Sequence, residues 1–226
     1  MNRQRAFTLV ELLVVISIIG VLAAFVLPLA GSVSRVKKIN TAQAELQQIE
    51  TALENYKAKY GVYPPSTTNG AVINQLYYEL SGVTNTIISS KNSYQTLDSV
   101  TTVAVSDFSQ QFSVGGIVNC SQGGGEDTVF AKDFLPGLKS TQVATATNGT
   151  GKNFTYLVTS VGGPDLNYQP LGVPSGNPFR YAYPGTNNPS SYDLWVQLSI
   201  NSTAASPNKY LVCNWSQQTL HNSPLP

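Results

Sequence analysis

Histidine, cysteine and charge are all scarce in this sequence, and each scarcity removes a class of function. The one histidine, His221, stands six residues from the C-terminus, so no HExxH pair or histidine-based metal cluster can form. The charged residues make up 11% of 226 positions, 13 basic against 12 acidic, for a net charge of +1. No basic field is present to collect nucleic acid. Two cysteines, Cys120 and Cys213, cannot build a disulfide framework. They could form one bridge closing a loop of about 90 residues, worth about 4 kcal/mol in the chain-entropy account, or remain two buried thiols. The glycine runs lack the Lys-Ser/Thr that binds phosphate, and Ser121 in NCSQG lacks the leading glycine of a nucleophile elbow. Cys120 and His221 have only their coexistence to suggest a nucleophilic pair. No enzyme signature survives. Sparse charge does not mean disorder here, because 12 tyrosines accompany abundant Val and Leu.

What the chain does have is one long apolar run, Phe7–Val33, FTLVELLVVISIIGVLAAFVLPLAGSV, with a single formal charge at Glu11. About 20 apolar residues suffice to span a bilayer, so the run is long enough with some tilt. A buried acid there costs roughly 3 kcal/mol on insertion scales and needs a partner. No Lys, Arg or His lies between Glu11 and Arg35. Cutting the chain before Phe7 would supply the missing cation as a new α-ammonium four residues away. The residues alone also allow a secretory signal peptide or a plain membrane anchor, although a signal core is usually 7–15 residues and Pro28 sits at −3 of the candidate cut near Ala30. Basic residues flank the run on both sides, Arg3 and Arg5 before it and Arg35, Lys37 and Lys38 after it, so charge does not set the topology.

The segment RQRA-FTLVELLVVISIIGVLAAFVLP resembles the leader and N-terminal helix of type IV prepilins and pseudopilins. That resemblance implies cleavage between Ala6 and Phe7 by a prepilin peptidase, methylation of the new amine, and pairing of Glu11 with the Phe7 amine of a neighbouring subunit. The family has Gly before the cut, where this chain has Ala6. The resemblance also implies a cytoplasmic N-terminus, a head outside the inner membrane, and a Pro28 segment that unwinds during assembly. Gly20 and Gly31 loosen the same helix, and a proline at 28 deletes a hydrogen bond and crowds the carbonyl of Ala24, so a kink or local melting is expected.

Downstream, Val36, Ile39, Ala42, Leu46, Ile49, Leu53, Tyr56 and Tyr60 recur every three or four residues, while Lys37, Lys38, Glu45, Glu50 and Glu54 point elsewhere. The spacing predicts an amphipathic continuation to Tyr60, stopped by Gly61 and Pro64–Pro65. A continuous helix over Phe7–Tyr60 would measure roughly 80 Å at 1.5 Å per residue. Ala71–Leu80 reads as a short helix with Val72, Leu76 and Leu80 on one side. Residues 81–153 are turn-rich and read as an insertion, with Phe130–Leu138 a further short helix. In the tail, Phe154–Thr159, Phe179–Tyr183, Tyr192–Ile200 and Leu211–Trp215 alternate apolar and polar residues. They predict an antiparallel sheet of about four strands, packed by one face on the amphipathic helix. Pro184–Gly185 fits a type II turn with positive φ at the glycine. The fold class expected is therefore α+β, organised as leader 1–6, transmembrane and polymerisation helix 7–33, amphipathic helix 34–60 and extracytoplasmic head 61–226.

Two further stretches, YGVYP at 60–64 and NPFRYAYPGTNNPSSYDLW at 177–195, resemble the major pseudopilins of type II secretion. The resemblance implies a filament subunit with no enzymatic role, whose partners are copies of itself, the prepilin peptidase, other pseudopilins and an inner-membrane assembly platform. A surface pilus subunit for adhesion or DNA uptake and a non-polymerising anchored binding protein stand beside it. In related pseudopilins a loop after YDL holds calcium with aspartates and carbonyls. Here Tyr192–Asp193–Leu194 is followed by WVQLSINSTAASPNKYL and no carboxylate to the end of the chain. Calcium needs several oxygen ligands with negative charge among them, so no cofactor is expected, at this loop or at Glu126–Asp127.

Overall fold

A computed structural model of the chain describes residues 8–122, 129–163, 171–172, 176–199 and 209–221, apart from the side chains of 24–33, 199 and 221. Two compact units emerge, Met1–Lys38 and Ile39–Pro226. The expectations for Ala6, Phe7, Glu126–Asp127 and Ile200 lie outside the described residues.

The first unit carries the start of helix α1, Leu9–Tyr60. Its backbone remains helical across positions 24–33, so Pro28 does not end the helix and the local melting expected there is not seen. A proline removes one donor only, and the flanking turns keep theirs. From Leu9 to Leu22 the large apolar side chains are 47–77% exposed. Among the described residues no helix is long and apolar enough to cross a membrane. The run expected to do so begins and ends outside the residues whose side chains are described.

In the second unit α1 supplies Ala42, Leu46, Ile49, Ala52, Leu53 and Tyr56 to the core, each buried. Val36, expected at the head of this stripe, is 49% exposed and belongs to the first unit. Helix α2 is shorter than the spacing predicts, Leu76–Ser81 rather than Ala71–Leu80, and all six of its residues are buried. The Asn74 carboxamide takes the place of the first turn, donating to the carbonyls of Ala71 and Phe179 and accepting from Leu76 N–H.

The stretch read as an insertion folds. Strands β1 (Val83–Ile88), β2 (Lys91–Thr96), β3 (Thr102–Ala104) and β4 (Cys120–Ser121) form a sheet in the order β3-β2-β1-β4, with β4 parallel to β1. Helix α3 (Val105–Phe112) follows β3 and buries Phe108 and Phe112 against Tyr78 and Phe154. Residues 130–138, expected as a helix, form none: 130–133 have no regular structure and 134–137 bend and turn. Pro136 and Gly137 (φ +81°) follow Leu135 and stop any helical run.

The tail makes two sheets where one was expected. Strands β7 (Arg180–Ala182), β8 (Asp193–Ser199), β9 (Lys209–Cys213) and β10 (Leu220–His221) form an antiparallel sheet in the order β10-β9-β8-β7. The fourth expected strand, β6 (Asn153–Leu157), pairs instead with β5 (Val143–Thr147) across a five-residue polar turn, Asn148–Lys152. Asn148 locks that turn, its Oδ1 accepting the N–H groups of Thr150 and Lys152. The pair is stapled to the segment leading into β7, where Phe179 N–H donates to Leu157 O and Thr159 N–H to Asn177 O, both at 3.0 Å. Leu194, Val196 and Leu198 join the main core, whereas Trp195, Leu211 and Cys213 form a second small cluster on the other face with Trp215.

Gly185 is not the positive-φ residue of a type II turn. It is needed for space: a Cβ there would lie 2.6 Å from Asp193 Oδ1 and 2.9 Å from the Asn188 carbonyl. The nearest obstacle is the Asp193 carboxylate, buried and held by the Asn187 and Asn188 amides, with the Asn188 backbone beside it. Gly185→Ala is expected to lower the unfolding free energy by about 2 kcal/mol, the usual scale of overpacking. A urea midpoint equal to that of the parent protein would show that the loop yields freely.

Candidate functional site

Thr8 and Glu11 open the helix as a capping box. The Glu11 carboxylate Oε2 accepts both the Thr8 N–H and the Thr8 hydroxyl at 2.8 Å, and the Glu11 N–H donates to Thr8 Oγ1 at 3.3 Å. Two orphan N–H groups of the first turn are thereby satisfied. An anion in that turn also meets the positive end of the helix dipole. The acid left without a partner in the sequence thus has one inside its own helix. Threonine three residues before glutamate, just ahead of an apolar run, is a readable signature of this arrangement.

Beyond Thr8, the described residues flanking Glu11 are hydrocarbon. Leu9, Val10, Leu12, Leu13, Val14, Val15 and Ile16 are all exposed, and so are Ile18, Ile19, Val21 and Leu22. Exposed apolar surface on every side of a helix requires lipid or other protein around it. Gly20 lies within this surface, and a Cβ added there would meet nothing within 4 Å. Pro28 shares the same helix. Ala6 and Phe7, the expected processing pair, precede the described residues.

The remaining candidates lie in the second unit. Cys120 (on β4) and Cys213 (on β9) are free, buried thiols in separate sheets and separate core clusters, so the bridge allowed by the sequence is not formed. Burial pushes both thiols up, which makes them poor nucleophiles. Among the described residues no group of three or more His, Cys, Asp or Glu side chains could hold a metal ion.

Two buried acids escaped sequence reasoning. Glu45, expected on the solvent face of α1, is 8% exposed and accepts the Thr159 hydroxyl at 2.6 Å and the Ser160 N–H at 3.1 Å. Glu79 is fully buried and accepts Tyr56 O–H at 2.9 Å and the N–H groups of Val118 and Asn119 at 3.1 Å. Both join separate segments of the head. No sequence signal marks either, since the donors lie 23 to 115 residues away.

Residues 1–27, which include the capped acid and much of this apolar helix, match the family described as the prokaryotic N-terminal methylation motif. Type II secretion system core protein G of Pseudomonas aeruginosa is 40% identical over 69 residues, 30% of this chain and 48% of that protein. The protein of the same name in Escherichia coli K12 is 45% identical over 69 residues, 30% and 46% of the two chains. The type IV major pilin protein PilE of Neisseria gonorrhoeae is 32% identical over 69 residues, 30% and 41%. The chain thus spans less than half the length of these curated relatives. No solved structure matches it. The similarity extends to type II secretion core proteins and a type IV pilin alike.

Proposed function

We propose that this chain is a structural subunit of a type II secretion pseudopilus, with no enzymatic role. A prepilin peptidase cuts between Ala6 and Phe7, and methylation of the new amine follows. The run from Phe7 to Val33 crosses the inner membrane once, with the N-terminus cytoplasmic and the head in the periplasm. Subunits then leave the bilayer through an assembly platform and stack by their apolar helices, alongside other pseudopilins, into a filament that drives export. The observation that carries this reading is the exposed apolar wall of Leu9–Leu22 with one acid at its head. Each copy covers the wall of its neighbours, and Glu11 exchanges part of its Thr8 contact for the Phe7 ammonium of another copy.

N-terminal sequencing of the protein recovered from cells tests the first step. The expected result is a chain beginning at methylated Phe7. A chain still beginning at Met1, or beginning beyond Pro28, overturns the proposal. A surface pilus is the second reading, supported by the similarity to PilE. Filaments sheared from the cell surface and containing this chain would favour it over a periplasmic pseudopilus.

A further inference from the structure

We infer that the Pro184–Asp193 loop is held by an internal anion, the Asp193 carboxylate, and does without the calcium ion expected of related pseudopilins. Asp193 is 1% exposed at the start of β8. Its Oδ2 accepts the Asn187 N–H at 2.8 Å and the Asn187 side-chain amide at 3.0 Å, while its Oδ1 accepts the Asn188 N–H at 2.9 Å. Both oxygens therefore face protons where a metal ion would need lone pairs.

The neighbouring carbonyls are committed in the same way. Asn188 O accepts Ser191 N–H and Ser191 O accepts Gly185 N–H, each at 2.9 Å. Tyr192 O accepts the side-chain amides of Asn188 at 3.1 Å and Asn214 at 2.9 Å. Asn214 also bonds the Leu194 backbone from both sides, so the loop is tied to the segment after β9 as well. Calcium takes six to eight oxygen ligands, several of them anionic. This loop offers one carboxylate, which already accepts three hydrogen bonds at its roughly four acceptor sites, and the sequence that follows supplies none. The donor set does not fit the ion. Charge-assisted hydrogen bonds from backbone amides do the ordering instead, and Gly185 leaves the room the carboxylate needs.

The test uses the full chain in detergent. Thermal unfolding is followed in millimolar calcium and in excess EGTA, for the parent protein and for Asp193→Asn. The expected result is a parent Tm that does not respond to calcium, and a Tm lower by about 5 °C in Asp193→Asn under both conditions. A specific site well above saturation would raise the parent Tm by about 5 °C or more, and that outcome overturns the inference. So does an Asp193→Asn variant that melts with the parent protein. Should the variant not fold, amide hydrogen exchange on the parent protein decides. Slow exchange at Asn187 and Asn188, unchanged by EGTA, supports the internal clamp, and exchange at unprotected rates or slowed by calcium rejects it.

Discussion

Glu11→Gln is expected to leave the chain membrane-inserted and yet remove it from filaments. The capping box separates two roles that this acid combines. As a cap, Glu11 satisfies the Thr8 N–H, and a glutamine oxygen at the same place can do so equally. As a charge, it would pair with a cation under the proposed function, and glutamine has no charge to offer. Glu11→Ala removes both, and loses about 1 kcal/mol of helix-start stability besides. Under the proposed function, Glu11→Gln and Glu11→Ala both lower the yield of subunit–subunit crosslinks by about tenfold or more, since 1.4 kcal/mol of lost pairing already gives that factor. Thr8→Ala loses the hydroxyl contact but keeps the charge, and its expected defect is smaller. The readout is crosslinking through single cysteines placed on Leu9–Leu22, with membrane fractionation to verify insertion. Parent-like crosslinking by Glu11→Gln, with a defect only in Glu11→Ala, would reassign Glu11 to capping alone.

The same residues show what a sequence reveals and what it withholds. The apolar run, the lone acid and the stripe from Ala42 to Tyr56 are local patterns of period 3.6 or of sheer length, and all were legible. All four strands expected in the tail were legible for the same reason, with period 2 alternation in residues such as Leu194, Val196 and Leu198, and only the two-residue β10 was missed. The first sheet of the head was not. Its β1–β2 turn uses Ser89 and Ser90 with φ of 50° and 62°, a left-handed pair that glycine or asparagine would have announced and serine does not. Strand β5, VATAT, is a partly exposed edge with small side chains and little hydrophobic contrast. Partner choice was the other blind spot. The Phe154 strand alternates as well as its neighbours, yet the turn closed by Asn148 gives it a sequence-local partner before the long return to β7 is made. Glu45 and Gly185 were misread alike, because the groups that make them necessary, Ser160 and Asp193, become neighbours only in the fold.

Glu79→Ala should be the most damaging single change in the head. Its carboxylate joins three pieces of chain at one point: Tyr56 from α1, α2 itself, and the Val118–Asn119 backbone entering β4. Asn119 extends the knot, its Oδ1 accepting the Tyr60 hydroxyl at 2.6 Å and its amide donating to Glu79 O and Lys132 O. Truncation strands two buried donors, Tyr56 O–H and Asn119 N–H, and the half-buried Val118 N–H, each buried one costing on the order of 1–3 kcal/mol, so a loss of about 4 kcal/mol is expected after partial relaxation. For a unit of this size that corresponds to a Tm lower by roughly 10 °C. The acid also sets a pH dependence. Burial raises the Glu79 pKa above its ordinary 4.5, opposed by the Asn119, Val118 and Tyr56 donors. Burial, and in second place the charge of Glu79, raise the Tyr56 hydroxyl and the Cys120 thiol that face it. A carboxyl group that holds its proton more tightly folded than unfolded contributes most below the unfolded value near 4.5, and that contribution is lost as pH rises through the folded pKa. The Tyr56 hydroxyl can reverse to accept the proton that Glu79 then carries, whereas the amide of Glu79→Gln sets an N–H against a backbone N–H whichever way it turns. Glu79→Gln should therefore cost about 2 kcal/mol through one stranded donor and flatten the fall in stability above pH 4.5. Chemical denaturation of both proteins across that range measures the two effects together, and parallel pH profiles would show that Glu79 does not titrate in the fold.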